Sequence, residues 1–100
     1  MRMSDTNGMK FDGDKIRMDL IPPECIEEVG KVLTFGAKKY DDDNWKHVEN
    51  MNDRYYAAVL RHLLAYRKGE KLDEESGLSH LSHAATGLFF LIWSEIHVNG

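Results

Sequence analysis

Cysteine is nearly absent from this chain. Cys25 stands alone among 100 residues, so no disulfide can close within it and nothing in its thiol content calls for an oxidising compartment. Long apolar runs are missing too. The longest, "LFFLIW" from Leu88 to Trp93, falls far short of the roughly 20 residues that span a bilayer, and the opening "MRMSDTNGMKFDGDK" has no apolar core of a signal peptide. Nor is there a basic excess: the formal charge is −4 and the signs are mixed, unlike a surface that gathers cations to neutralise DNA or RNA. These absences argue for a cytoplasmic protein with neither a membrane nor a nucleic acid polymer as partner, and leave a small anionic ligand open. Repeats and low-complexity segments are also lacking.

What is present suits one folded domain over residues 1–100. The chain is 42% hydrophobic and 30% charged, ordinary globular usage, and its length allows a single compact unit. Residues 1–9 are polar and lack a period that would bury a face, so they read as a flexible arm. Asp12-Gly13-Asp14 reads as a turn between short irregular or extended runs.

Helical periodicity then takes over. In "PPECIEEVGKVLTFGAKKY", Pro23 suits the first helical position, Glu24, Glu27 and Glu28 suit the positive end of the helix dipole, and Lys38 and Lys39 suit the negative end. Ile26, Val29, Leu33, Ala37 and Tyr40 recur as its apolar stripe. "DDDNWKHVEN" interrupts the period as a loop. A second helix follows, with Asn52 as its expected N-cap, Tyr55, Val59, Leu63 and Tyr66 as its stripe, and Gly69 as its stop. A last helix runs from about Ser79 to His97. Its apolar surface, Leu81, Ala85, Leu88, Ile92 and Ile96 with Ala84, Leu91 and Trp93 beyond, is too wide for one partner. The expected fold is therefore all-α, a three-helix bundle completed by homo-oligomerisation.

Several groupings carry possible chemistry, each beside a plainer reading. Glu24, Glu27 and Glu28 stand at helical spacing, where carboxylates can share a hard cation such as magnesium or simply fill a solvated first turn. His80 and His83, three residues apart, can address one neighbour or serve as packed polar residues, with Asp73, Glu74 and Glu75 just ahead. Arg54 and Arg61 lie seven residues apart across Ala57 and Ala58, next to His62, a floor on which a phosphorylated ligand or a partner helix can approach. Lys15 and Arg17 can meet phosphates or solubilise, and Trp45 can stack on a base or pin its loop. Gly87, inside the last helix, fits a close helix crossing.

The wording adds to the spacing. "KFDGDKIRMDLIPPECIEEVGKVLTFGAKKYDDDNW" and "RHLLAYRKGEKLDEESGLSHLSHAATGLFFL" resemble the N-terminal domain of the phage dATP/dGTP diphosphohydrolase family, itself similar to the all-α MazG-like nucleotide pyrophosphohydrolases. The resemblance runs from about Met9 to Glu95, with "GAKKY…NW" and "ESGLSHLSHA" its most specific parts. It implies an oligomeric enzyme in the cytoplasm of an infected or lysogenic bacterial host, using Mg2+ or Mn2+ to split a (deoxy)nucleoside triphosphate into monophosphate and diphosphate. Carried onto this chain, it implies Glu24, Glu27, Glu28 and Glu75 as metal ligands and Glu28 and His83 as catalytic residues. Lys15, Arg17, Lys39 and Arg61 would hold phosphates, Tyr40 or Trp45 would meet the base, and His62 would line the site. The family-like E-x-x-E is present at Glu24-x-x-Glu27, whereas an E-x-x-D partner is replaced by Glu75 followed by His80 and His83. That departure leaves two alternatives beside the enzyme: a protein that sequesters a nucleotide or cyclic nucleotide immune signal uncleaved, and a purely structural oligomer.

Overall fold

Three helices carry the architecture in the computed structural model, which describes residues 13–98: α1 (Pro23–Lys39), α2 (Met51–Arg67) and α3 (His80–His97). Helix α3 packs along α2 and also against α1, so it is the central element. Among the described residues no strand forms; the one sheet-like feature is an antiparallel bridge between Leu72 and Ser79 that closes the loop before α3. The expected arm at residues 1–9 lies outside the described residues. Gly13 and Asp14 lie in a turn, while Asp12 of the expected turn lies outside the described residues, and a short 3-10 turn follows at Met18–Leu20, where the Arg17 guanidinium forks onto the Asp19 carboxylate with both distances 2.8 Å.

The helix ends follow local chemistry with one exception. Pro23 opens α1, Lys38 and Lys39 close it, and the Tyr40 N–H bonds back to the Gly36 carbonyl. At the end of α2, Gly69 adopts φ +102°, the region that glycine enters without a Cβ clash, and the Gly69 and Glu70 N–H groups return to the Tyr66 and Ala65 carbonyls. Ser79 caps α3 by accepting from the Leu81 N–H. The exception is Asn52. It lies in the first turn of α2, behind Asn50 at the helix boundary, and its side-chain oxygen accepts the Ser94 hydroxyl at 2.9 Å. A buried partner on α3 thus takes the oxygen that a cap would use.

Burial also departs from the periodic reading. Val29, Val32, Met51, Val59 and Ala84 form the small apolar core. On α3 the inward face is polar or small: His80, Ser82, Thr86, Gly87 and Ser94 are buried beside Ala84. Each hydroxyl there has a partner, Ser82 on Glu28, Thr86 on the Ser82 carbonyl and Ser94 on Asn52. Meanwhile Leu81, Leu88, Ile92 and Ile96, the expected core stripe, stay exposed, as do Ile26, Leu33 and Leu63. Gly87 explains the close fit: a methyl group there would lie 2.5 Å from Val59 Cγ2, so α2 and α3 approach at a distance only glycine allows. Small residues bring the backbones together, and the large apolar side chains are left pointing away.

Candidate functional site

The three-helix arrangement leaves an open cleft of about 960 Å³, near the upper end of the roughly 300–1,000 Å³ typical of small-molecule sites. The second half of α1 and the first two-thirds of α2 wall it, the 41–49 loop closes one side, and α3 contributes His83 and Phe90. Of the residues expected at a site, Lys39, Tyr40, Trp45, Arg61, His62, Glu75 and His83 line this one cleft. Arg54 joins them. Lys15, Arg17, Glu24, Glu27 and Glu28 do not line it. Lys15 and Arg17 sit in the segment before α1, and Glu24 lies in its exposed first turn. Glu27 borders a separate shallow groove with Ser76 and Leu78.

The charged groups are held by specific partners. Glu28 accepts from the Ser82 hydroxyl at 2.7 Å and from Lys31 at 2.9 Å, and these bonds, Ser82 first, hold its carboxyl below the usual range. Lys39 pairs with Glu75 across the cleft rim, which raises the Lys39 ammonium above its ordinary value. Glu75 is therefore at the cleft while Glu24, Glu27 and Glu28 are elsewhere on α1. As placed, no three of these four carboxylates come within 4.8 Å of one another.

Trp45 faces a crowded environment. Its ring stacks on Phe90 with centroids 4.3 Å apart and planes 13° apart, meets Trp93 edge-on at 5.2 Å, and lies beneath the Lys46 ammonium at 5.5 Å. The Tyr55 hydroxyl donates to the Trp45 carbonyl at 3.1 Å, and burial pushes the Tyr55 phenol up. Together these contacts pin the 41–50 loop onto α3. The aromatic lining of the cleft is thereby a built wall.

Histidines gather at the end of the cleft nearest the 70–79 loop. His62 and His83 stack at 4.6 Å with planes 11° apart. His83 Nε2 meets the Ser76 hydroxyl at 2.7 Å and lies 4.0 Å from Asp73. Burial lowers both imidazoles below their ordinary value; neighbouring histidines add to this for each, and Asp73 opposes it. Burial of Asp73 pushes its own carboxyl up, but the Ser76 hydrogen bonds and the nearby histidines outweigh that and leave it lowered. Behind His62, its Nδ1 is 2.8 Å from His80 Nδ1, and His80 Nε2 is 2.9 Å from the Glu70 carboxylate. The sequence draws attention to His80, Asp73 and Arg54, but offers no sign of Glu70, Ser76, Tyr55 or Phe90. Glu70 and Ser76 belong to the loop before α3, outside any helical period, and Tyr55 and Phe90 meet Trp45 from other elements, so only the loop closure at Leu72 and Ser79 brings Glu70 to His80.

The chain is thus an all-α protein with an open cleft, lined by cations, aromatic rings and half-buried imidazoles among other groups. More particularly, the chain belongs to the family described as dATP/dGTP diphosphohydrolase, N-terminal, which it matches over residues 5–100. It is also 43% identical, over 86 residues, to a dATP/dGTP diphosphohydrolase of Salmonella phage PMBT28. That similarity covers 86% of this chain but 29% of the relative, so the chain spans less than a third of the relative's length. No solved structure matches it. No helix among the described residues is long and apolar enough to cross a membrane.

Proposed function

We propose that the chain acts on purine deoxynucleoside triphosphates, cleaving them to monophosphate and diphosphate in the cleft between α1 and α2. The observation that carries this reading is the meeting, in one cleft of nucleotide size, of Lys39, Arg54 and Arg61 with Tyr40, Tyr55 and His83. Guanidinium and ammonium groups suit phosphate oxygens, and an aromatic wall suits a base. The name of the phage relative supports the same substrate class. His83, fixed by Ser76, would orient the attacking water, and Arg61 would stabilise charge growing on the phosphates. A magnesium or manganese ion would neutralise phosphate charge when present. The exposed apolar residues of α3 fit association with further copies of the chain, and light scattering is expected to give a mass that is a multiple of 11.5 kDa. A monomeric mass at micromolar concentration would remove that part of the reading.

One observation favours a second reading: the carboxylates expected to hold a cation are split between α1 and the cleft rim. A protein with cations and rings at its cleft, and most of its expected metal-holding carboxylates away from it, can hold a nucleotide or cyclic nucleotide without cleaving it. Phosphorus NMR separates the two. With dATP or dGTP, the enzyme is expected to yield monophosphate and diphosphate with Mg2+ or Mn2+, and to stop when the cation is chelated. Intact ligand, recovered unchanged after denaturation, would instead establish sequestration.

A further inference from the structure

We propose that His62, His80 and Asp73 form a binding site for a divalent transition metal of the zinc and cobalt class, at the end of the cleft and separate from any cation carried by a nucleotide. Their ligand-type atoms all lie within 4.8 Å of one another, and they are the group of this kind found among the described residues. The inference rests on this geometry and not on the activity proposed above.

The hydrogen bonds define which lone pairs are available. The Glu70 carboxylate can only accept, so His80 Nε2 carries the proton between them and His80 Nδ1 is left as an acceptor. His62 Nδ1–H then donates to it across 2.8 Å. A carboxylate behind an imidazole, with the other ring nitrogen turned towards a second imidazole, is the support that metal-binding histidines ordinarily have. It fixes the tautomer and makes the ligating nitrogen more basic. His80 is only 5% exposed, so its ring has little freedom to adopt another orientation.

Asp73 is equally well placed. Its carboxylate accepts from the Ser76 N–H at 3.0 Å, its N–H donates to the Leu78 carbonyl, and its carbonyl accepts from the Gly77 N–H. The His80 N–H is tied to the Lys71 carbonyl in the same loop. Thus two of the three ligands and the supporting Glu70 come from one short, internally bonded segment, and α2 presents the third. This is a rigid frame.

Binding would replace the hydrogen bond between the rings. The metal would take the Nδ1 lone pairs of both histidines, and the proton on His62 Nδ1 would pass through solvent to His62 Nε2, so no proton is released overall. Zinc–nitrogen bonds of about 2.0–2.1 Å at tetrahedral angles set the two nitrogens about 3.3 Å apart. The half-buried His62 ring needs to move by about half an ångström to reach that spacing. Two imidazoles and one carboxylate favour zinc or cobalt over magnesium, which prefers a shell of oxygen. With three protein ligands, the fourth position faces the cleft that His62 and Asp73 line.

Cobalt titration of the whole protein tests this. One equivalent of Co2+ is expected to bind with the visible absorption of a four- or five-coordinate site, to be displaced by Zn2+, and to survive excess Mg2+. Paramagnetic NMR should shift the His62 and His80 ring protons most, well beyond those of His47 and His97. Glu70→Gln, on an exposed loop position, should weaken the affinity by about 10–100-fold without loss of helix content. His62→Ala should abolish stoichiometric binding. Because His80→Ala removes a buried group and can unfold the chain, the wild-type NMR carries the assignment of that ligand. Absence of stoichiometric Co2+ binding, shifts centred on His47 or His97, or undiminished affinity in His62→Ala would overturn the site. None of these readouts requires nucleotide turnover, so failure here and failure of the hydrolase reading are distinguishable.

Discussion

Replacing Arg61 by alanine is expected to weaken binding of a nucleoside triphosphate by about ten- to a hundredfold, the range set by losing one hydrogen-bonded charge contact. Arg61 lies on the exposed side of α2 and lines the cleft, with no ion pair among the salt bridges of the described residues. Lys39, the other cation on the opposite wall, is already committed to Glu75. The guanidinium therefore offers phosphate a charge that is not offset in advance, and its planar fork suits two oxygens at once. Arg61→Lys should recover only part of the loss, because it restores the charge without the fork. Melting temperature should hardly move, since exposed substitutions of this kind usually stay within about ±0.5 kcal/mol. Calorimetric titration with a non-hydrolysable triphosphate measures the affinity; wild-type affinity in Arg61→Ala would place the phosphates elsewhere.

A different kind of effect is expected at Trp45. Removing its ring to leave alanine should destabilise the fold by about 2–4 kcal/mol, somewhat below the 3–5 kcal/mol of a fully buried aromatic residue because Trp45 is half-buried. At about 4–8 °C for each kcal/mol in a domain of this size, the melting temperature should fall by about eight degrees or more. The cause is the loss of the stack on Phe90 and the edge contact with Trp93, which hold the 41–50 loop against α3. Nucleotide affinity should fall with it, as that loop forms one side of the cleft. Trp45→Phe should recover most of the stability by retaining a ring over Phe90. Thermal unfolding followed by circular dichroism checks both variants. If Trp45→Ala melts like the wild type but loses affinity, the ring serves the ligand and not the loop.

The two substitutions also mark how far the sequence can be read. Arg61 was legible as a companion of Arg54 because seven residues set both on one strip of α2, and both line the cleft. Trp45 could be read either as a base-stacking residue or as a loop anchor. Its partners Phe90 and Trp93 lie some 45 residues further along the chain, and no local period connects them. The same limit applies to the carboxylates: the spacing of Glu24, Glu27 and Glu28 places them on neighbouring strips of α1, but whether that side of α1 meets a cleft depends on how the helix is rotated against α3. It meets Ser82 instead.

By itself the sequence determined the number and order of the helices, because prolines, caps, glycine stops and a 3.6-residue period act within a few residues of one another. It also carried the family resemblance, since that lies in the wording of "GAKKY…NW" and "ESGLSHLSHA". Only the tertiary structure decided which face of α3 turns inward. Hydrophobicity favoured Leu81, Leu88, Ile92 and Ile96, yet Gly87 against Val59 and the hydrogen-bonded Ser82, Thr86 and Ser94 allow a closer approach of the backbones. The tertiary structure likewise brought Glu70, Asp73, His62 and His80 together. They come from a helix, a loop and the start of another helix, and their meeting depends on a loop closure that no local pattern encodes.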